Sequence, residues 1–293
     1  MRVRPATERD LPALAALAAS LQGRDDRHVA YLGVDAADIA AELADSTWER
    51  VGVVAERDGE LLGWLIGDVD DEMGRVWWLG PFVDTGADTA AWVATATALY
   101  EAARARMPGS VGEEEFAVDE RFTRLIDWAI RAGFDRDPGS HVMNLVGSVG
   151  APTGAVRELA SADHEFVAEL HDQLFPGTHT SGRQLVDGHD GSHRRLVLET
   201  DDADRSVVGY VAVERQPGGA GYIDYLGVAT DARGRGHGAE LVRGGVAELE
   251  RIGALGVNLT VREDAPGVRD LYRSLGFEVE RTVVPLRRGF RLS

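Results

Sequence analysis

The chain contains no cysteine and no lysine. Without cysteine it can form no disulfide, no thiolate metal site and no cysteine-bound intermediate. Without lysine it cannot carry the Gly-Lys-Ser/Thr loop that grips nucleoside triphosphates. Long apolar runs are missing too, since no stretch approaches the roughly 18 residues that a membrane helix needs. The first residues, Met1-Arg-Val-Arg-Pro-Ala-Thr, hold no apolar signal core. A cytoplasmic protein without a membrane partner is the expectation. Positive charge is short as well: the net charge is −18, which disfavours binding to nucleic acid or anionic lipid. That every basic residue except histidine is arginine is explained equally by G+C-rich coding and by salt adaptation.

Glycine, by contrast, is placed with purpose. Tyr222-Ile-Asp-Tyr-Leu-Gly-Val228 alternates as a strand, Arg233-Gly-Arg-Gly-His-Gly238 makes a turn, and a helix follows. Glycines let a ligand's phosphates approach the backbone N–H groups, and a helix N-terminus adds partial positive charge. The turn therefore suits a pyrophosphate. A dinucleotide fingerprint would need G-x-G-x-x-G and an acid about 20 residues on. Here the spacing is Gly234-x-Gly236-x-Gly238, and the region near Asn258 offers no acid.

Arg233-x-x-Gly236-x-Gly238 after Leu-Gly-Val resembles the acetyl-CoA signature of the GNAT superfamily of N-acetyltransferases. Further on, Leu271-Tyr272-x-x-Leu-Gly276-Phe277 is similar to that superfamily's second hallmark. The resemblance implies an acyltransferase with acetyl-CoA as acyl-donor substrate and no metal. It implies that Leu226, Gly227 and Val228 line the pantetheine, with the Val228 amide polarising the thioester. Arg233, Gly234, Arg235, Gly236, His237, Gly238 and Ala239 would wrap the pyrophosphate. Tyr272 would protonate the departing thiolate. Relatives carry a coenzyme-contacting asparagine where this chain has Ala265; neighbouring Asp264 or the earlier Asn258 are the substitutes to consider.

The first half repeats the pattern of the second. Gly63-Trp64 answers Gly209-Tyr210, Gly133-Phe134 answers Gly276-Phe277, and Val76–Val83 stands where Tyr222–Val228 stands later. The length, 293 residues, also favours about two domains. The expected fold is α/β of the α+β type: two tandem GNAT-like domains, each a mixed, largely antiparallel sheet with helices on both faces. Residues 1–147 form one and 153–293 the other, with 148–154 as linker. In the first copy, Asp84-Thr-Gly-Ala-Asp-Thr89 has one glycine, two carboxylates and no arginine, and Ala129 holds the tyrosine position. That copy is expected to be degenerate and non-catalytic. Structural support is its expected role, with acceptor-site shaping or homodimer formation as alternatives.

Acetyl transfer to an amine also needs a base. Asp224 is the candidate; by period two it shares a face with Tyr222, Leu226 and Val228. The competing reading is a strand acid bonded to a neighbouring amide or arginine, and Glu214 is the second choice. His179, Thr178 and Ser181 fall where the superfamily builds acceptor pockets, or in an ordinary exposed loop. His189-x-x-x-His193 has a metal-like spacing but lies in a loop. The expected reaction is direct attack by a primary amine on acetyl-CoA in a ternary complex, the acceptor being a small amine, an amino acid, an amino sugar or a protein N-terminus. A non-catalytic acyl-CoA sensor or interaction module is the rival, and a longer acyl-CoA is the alternative donor.

Overall fold

Each half of the chain starts with the same clamp. Arg4 donates two hydrogen bonds of 2.8 Å to the carboxylate of Asp10, and Arg157 does the same to Asp163 at 2.6 and 2.9 Å. Each carboxylate also accepts a backbone N–H three residues earlier, from Thr7 and Ala160, so it fixes the turn between a strand and the helix after it. The repeat inferred from the Gly-aromatic pairs thus reaches the ends of both copies.

The computed structural model describes residues 1–45, 48–153, 155–176, 178, 180–188, 192–199, 206–216 and 218–289. It divides into two units, Met1–Gly139 with Arg281–Ser293, and Ser140–Glu280. Unit one runs β1 (Arg2–Pro5), α1 (Leu11–Gln22), α2 (Ala36–Asp45), β2 (Val53–Arg57), β3 (Glu60–Asp70), β4 (Arg75–Val83), α3 (Thr89–Arg104), β5 (Glu113–Asp119), α4 (Thr123–Arg131) and β6 (Asp135–Arg136). Its strands lie in the order β1-β2-β3-β4-β5, and residues Val283–Arg288 add a further strand beside β5. The β2–β3 hairpin turns at Asp58 and Gly59, both at positive φ (56° and 88°), as a tight two-residue hairpin requires. One core fills this unit, built on Trp64, Trp78, Trp92, Phe82 and Phe116.

Unit two runs β7 (Ser140–Leu145), β8 (Ala155–Glu158), α5 (His164–Leu174), α6 (Gly182–Asp187), β9 (His193–Glu199), β10 (Val207–Arg215), β11 (Gly221–Val228), α7 (His237–Arg251), β12 (Val257–Arg262), α8 (Pro266–Ser274) and the start of β13 (Phe277–Arg288). Its strand order is β8-β9-β10-β11-β12-β7. Among the described residues, β11–β12 is the parallel pair and its neighbours are antiparallel, as β4–β5 is in unit one. Two apolar layers flank the sheet. Leu241, Val242, Val246 and Leu249 of α7 and Tyr272 of α8 pack on one face. Val167 and Leu170 of α5 and Leu185 and Val186 of α6 pack on the other.

The predicted linker, 148–154, falls inside unit two, because the two copies trade strands. β7 precedes the linker in sequence yet pairs with β12. Val283–Arg288 follow it yet pair with β5. Among the described residues, no helix is long and apolar enough to cross a membrane.

Candidate functional site

In unit two, β11 and β12 run in parallel register only at Gly221, Tyr222 and Ile223, opposite Val257, Asn258 and Leu259. Beyond Ile223 the two strands part, and β11 continues to Val228 beside β10. The cause of the change is one extra residue. Ala212 pairs with Tyr225 and Val213 with Ile223, so Asp224 is the bulged residue. The bulge resets the alternation of side chains. Ile223, Leu226 and Val228 contribute to the α7 face, while Tyr225 joins the α5 face. Strict period two, which would put Asp224 on the face of Leu226 and Val228, therefore does not hold across this strand.

At the next turn, Arg233 returns its Nε to the Val228 carbonyl at 3.2 Å, tying the turn to the strand end. Gly234 and Gly236 take φ of +77° and +86°, values that side chains resist. Gly236 is the N-cap of α7 and supplies no side-chain cap, so the first amides of a 15-residue helix face outward with its positive dipole end. Gly238 acts through its small size, since a Cβ there would lie 3.2 Å from Leu271; its absence brings α7 against α8. Within β11, a Cβ on Gly227 would meet the Tyr210 ring at 2.5 Å. This glycine lets an aromatic ring pack directly under the strand.

Tyr272 lies on α8, 5% exposed, with its ring 5.7 Å from that of Phe277. Burial raises its hydroxyl well above the usual phenol range, and the nearby Tyr222 adds to this. Tyr222 is itself raised by burial and by the charges of Asp224 and Glu214, against a hydrogen bond with Thr260. Gly276, at φ +90°, ends α8 and sends Phe277 into the core. Ala265 is the N-cap of α8, and Asp264 is held by two hydrogen bonds from Arg262, of 2.9 and 2.6 Å. Asn258 sits in the paired part of β12, between Tyr222 and Asn144.

Behind Gly227 lies a buried aromatic group that the sequence reading missed. His171 is fully buried; its ring is 4.6 Å from that of Tyr225 and 5.3 Å from that of Phe175. Spacing with Val167, Leu170 and Leu174 puts it on the inner face of α5, which is the signal that could have found it. Thr178 bonds within its own turn, and Ser181 caps α6. His179 and His189 lie outside the described residues, and His193 is 3.7 Å from Glu214. Among the described residues no group of three or more side chains could hold a metal ion. A cavity of about 420 Å³, lined by Phe166, Glu169, Gln173, Thr230 and Asp231 among others, opens between α5 and the start of the glycine turn.

The same region of unit one is built differently. β4 and β5 also run parallel for a few residues, from Arg75 opposite Glu113 to Trp78 opposite Phe116. Beyond that point β5 takes another partner. Val29 bridges Val118, Ala30 donates to the Ala117 carbonyl at 2.8 Å, and Asp119 donates to the His28 carbonyl at 3.1 Å. The opposite edge of β5 is already used by Val283–Arg288, so residues 28–30 lie along the edge facing β4. Gln22, buried at 1% exposure, holds this segment from the Val29 amide and the Val29 and Leu32 carbonyls. At the helix after β4, Asp88 caps α3 by accepting from the Ala91 amide at 2.9 Å. A carboxylate stands where unit two has an uncapped glycine.

Residues 155–277 match the model of the acetyltransferase (GNAT) family. Among solved structures, a GCN5-related N-acetyltransferase from Sphaerobacter thermophilus is similar with a TM-score of 0.72 at 19% identity, covering 98% of this chain and 95% of that one. The tandem GNAT protein from the clavulanic acid biosynthesis pathway is similar with a TM-score of 0.60 at 16% identity, over 100% and 99% of the two chains. A glucosamine N-acetyltransferase region of a fungal multi-domain GH3 β-N-acetylglucosaminidase matches with a TM-score of 0.68 at 14% identity, over 98% of this chain and 38% of that one. At these identities the likeness is one of fold. No curated protein matches the chain.

Proposed function

We propose that the chain, whose residues 155–277 match the acetyltransferase (GNAT) family model and whose fold is similar to that of solved GNAT structures, a tandem one among them, transfers an acetyl group from acetyl-CoA to a primary amine. The observation that carries this reading is the conjunction in unit two of parting strands, an uncapped glycine turn and a buried tyrosine. In this reading the amides of the turn and of α7 bind the pyrophosphate, and the pantetheine lies along Leu226, Gly227 and Val228. The Val228 amide stabilises the oxyanion as the amine nitrogen attacks the thioester carbon. As the carbon–sulfur bond breaks, the thiolate takes a proton from the Tyr272 hydroxyl. Asp224 receives the amine proton, directly or through water. Burial keeps Tyr272 protonated until the thiolate forms.

An amine acceptor, cationic in water, suits the acidic chain and the Glu169 and Asp231 carboxylates at the cavity beside the turn. Unit one serves as a non-catalytic support in this reading, because residues 28–30 line β5 and Asp88 caps the helix. One acetyl-CoA per chain is the expected stoichiometry. The reading is tested by following coenzyme A release from acetyl-CoA across small amines, amino acids, amino sugars and peptide N-termini. Release with at least one class is expected. Tight acetyl-CoA binding with no release on any amine would replace the enzyme by an acyl-CoA sensor, and release only with longer acyl-CoA would change the donor.

A further inference from the structure

Along α3 of unit one, Val93, Thr97, Tyr100, Glu101 and Arg104 recur at helical spacing on one face, and α4 brings Trp128 and Arg131 beside them. Between the two helices lies a cavity of about 760 Å³ lined by these side chains. Its volume falls in the range of small-molecule sites, and its rim is formed by the exposed Glu101, Arg104 and Arg131. The floor is fixed. The Trp128 indole donates to Thr97 Oγ1 at 3.0 Å, while the Tyr100 hydroxyl donates to Glu114 at 2.6 Å and accepts from Arg288 at 3.0 Å. The two rings meet edge to face at 5.4 Å. With their polar atoms engaged elsewhere, Tyr100 and Trp128 offer the cavity ring carbon.

The rim carries charge of both signs. Arg104 keeps an Nε bond of 3.1 Å to the buried Glu114, and its side chain is 46% exposed. Glu101 on α3 and Arg131 on α4 have no side-chain hydrogen bond or ion pair among the described residues. An arginine in the last turn of a helix offsets the dipole there, which accounts for a cation on each helix. It does not account for an unpaired acid beside them above an apolar floor. We infer that this groove binds a free α-amino acid with an aromatic or branched apolar side chain. That side chain lies on Tyr100 and Trp128, the ammonium meets Glu101, and the carboxylate meets Arg131, with Arg104 close by. A simple carboxylic acid would face the charge of Glu101, and a simple amine would face two arginines. A zwitterion answers both signs. The site owes nothing to the glycine turn of unit two, and it stands whether or not the chain is an acetyltransferase.

The test is thermal unfolding of the full chain without acetyl-CoA, in excess phenylalanine or leucine, against phenethylamine, hydrocinnamate and glycine. Wild type should gain a few degrees with at least one of the two amino acids, and which one tells whether ring or branch suits the floor. Each of the other compounds lacks the carboxylate, the ammonium or the side chain, and should give clearly less. Calorimetry with the better amino acid should find affinity lowered about tenfold or more in Glu101→Gln and in Arg131→Gln. Both positions are exposed and unpaired, so these variants should melt with wild type when no ligand is added. Ala105→Trp, at an exposed lining position, fills the groove without removing a charge and should abolish the response. An amino acid held elsewhere, as an acceptor in unit two would be, raises the melting point of wild type and of all three variants alike. That result would overturn the assignment, as would a wild type indifferent to both amino acids or a fragment that matches them.

Discussion

The Tyr210 hydroxyl donates to Nδ1 of His171 at 2.7 Å, while Nε2 of the same ring lies 2.9 Å from the Thr180 carbonyl. A carbonyl can only accept, so the ring carries its proton on Nε2 and offers Nδ1 to the tyrosine. This imidazole thereby joins the strand beside Gly227 to the segment between α5 and α6. Tyr210→Phe should leave Nδ1 buried without a donor and cost about 1–2 kcal/mol. Chemical denaturation would read this as a lower midpoint with unchanged slope; a variant as stable as wild type would mean that the contact contributes nothing.

For the proposed general acid, Tyr272→Phe keeps the ring against Phe277 and removes only the hydroxyl. Turnover should fall by about 10²-fold or more, as expected for loss of a general acid. Acetyl-CoA affinity, measured by calorimetry, should change less than twofold, on the order of 0.4 kcal/mol. Equal turnover by the variant would assign the proton to another donor.

In the glycine turn, a side chain at φ +86° is strained wherever it points, and the space around Gly236 is open. Gly236→Val should therefore act through backbone geometry and weaken acetyl-CoA binding by about tenfold or more, roughly 1.4 kcal/mol. Because one cleft per chain is expected, binding should weaken as a whole. A surviving half-stoichiometry of tight binding would place a second site in unit one.

The clamp at the start of unit one makes stability depend on acid. Hydrogen bonds from Arg4, then from Thr7, overcome burial and lower the Asp10 carboxyl from 3.8 to about 2. A carboxyl depressed in the folded state contributes fully above its unfolded pKa and loses that contribution as pH falls through the folded one. Wild type should lose stability between roughly pH 4 and pH 2. Asp10→Asn should flatten that stretch of the profile, read from urea midpoints, and an unchanged slope would exclude this pair. Asp163, lowered by Arg157 in the same way, should add a second component in the same direction.

Much of this was legible in sequence because it is local. Turn glycines, a helix ending in Leu-Gly-Phe and alternating strands are set by neighbours along the chain, and Gly234, Gly236 and Gly276 adopt the left-handed backbone that makes glycine necessary. What could not be read depends on distant residues. The bulge at Asp224 arises from register against Ala212 and Val213. The lining of β5 by residues 28–30 requires a loop to find a strand far along the chain. Strand exchange is invisible to composition, since β7 and Val283–Arg288 read as ordinary strands wherever they pair.

That exchange explains why a copy without a glycine turn persists. Chain that precedes the linker supplies β7, and β7 covers the outer edge of β12 in the unit with the cleft. A gene shortened to residues 153–293 would encode every candidate site residue and still leave that edge bare, an invitation to aggregate. On the proposed function, the non-catalytic half is retained as a donor of structure, and selection on one reaction then preserves both copies.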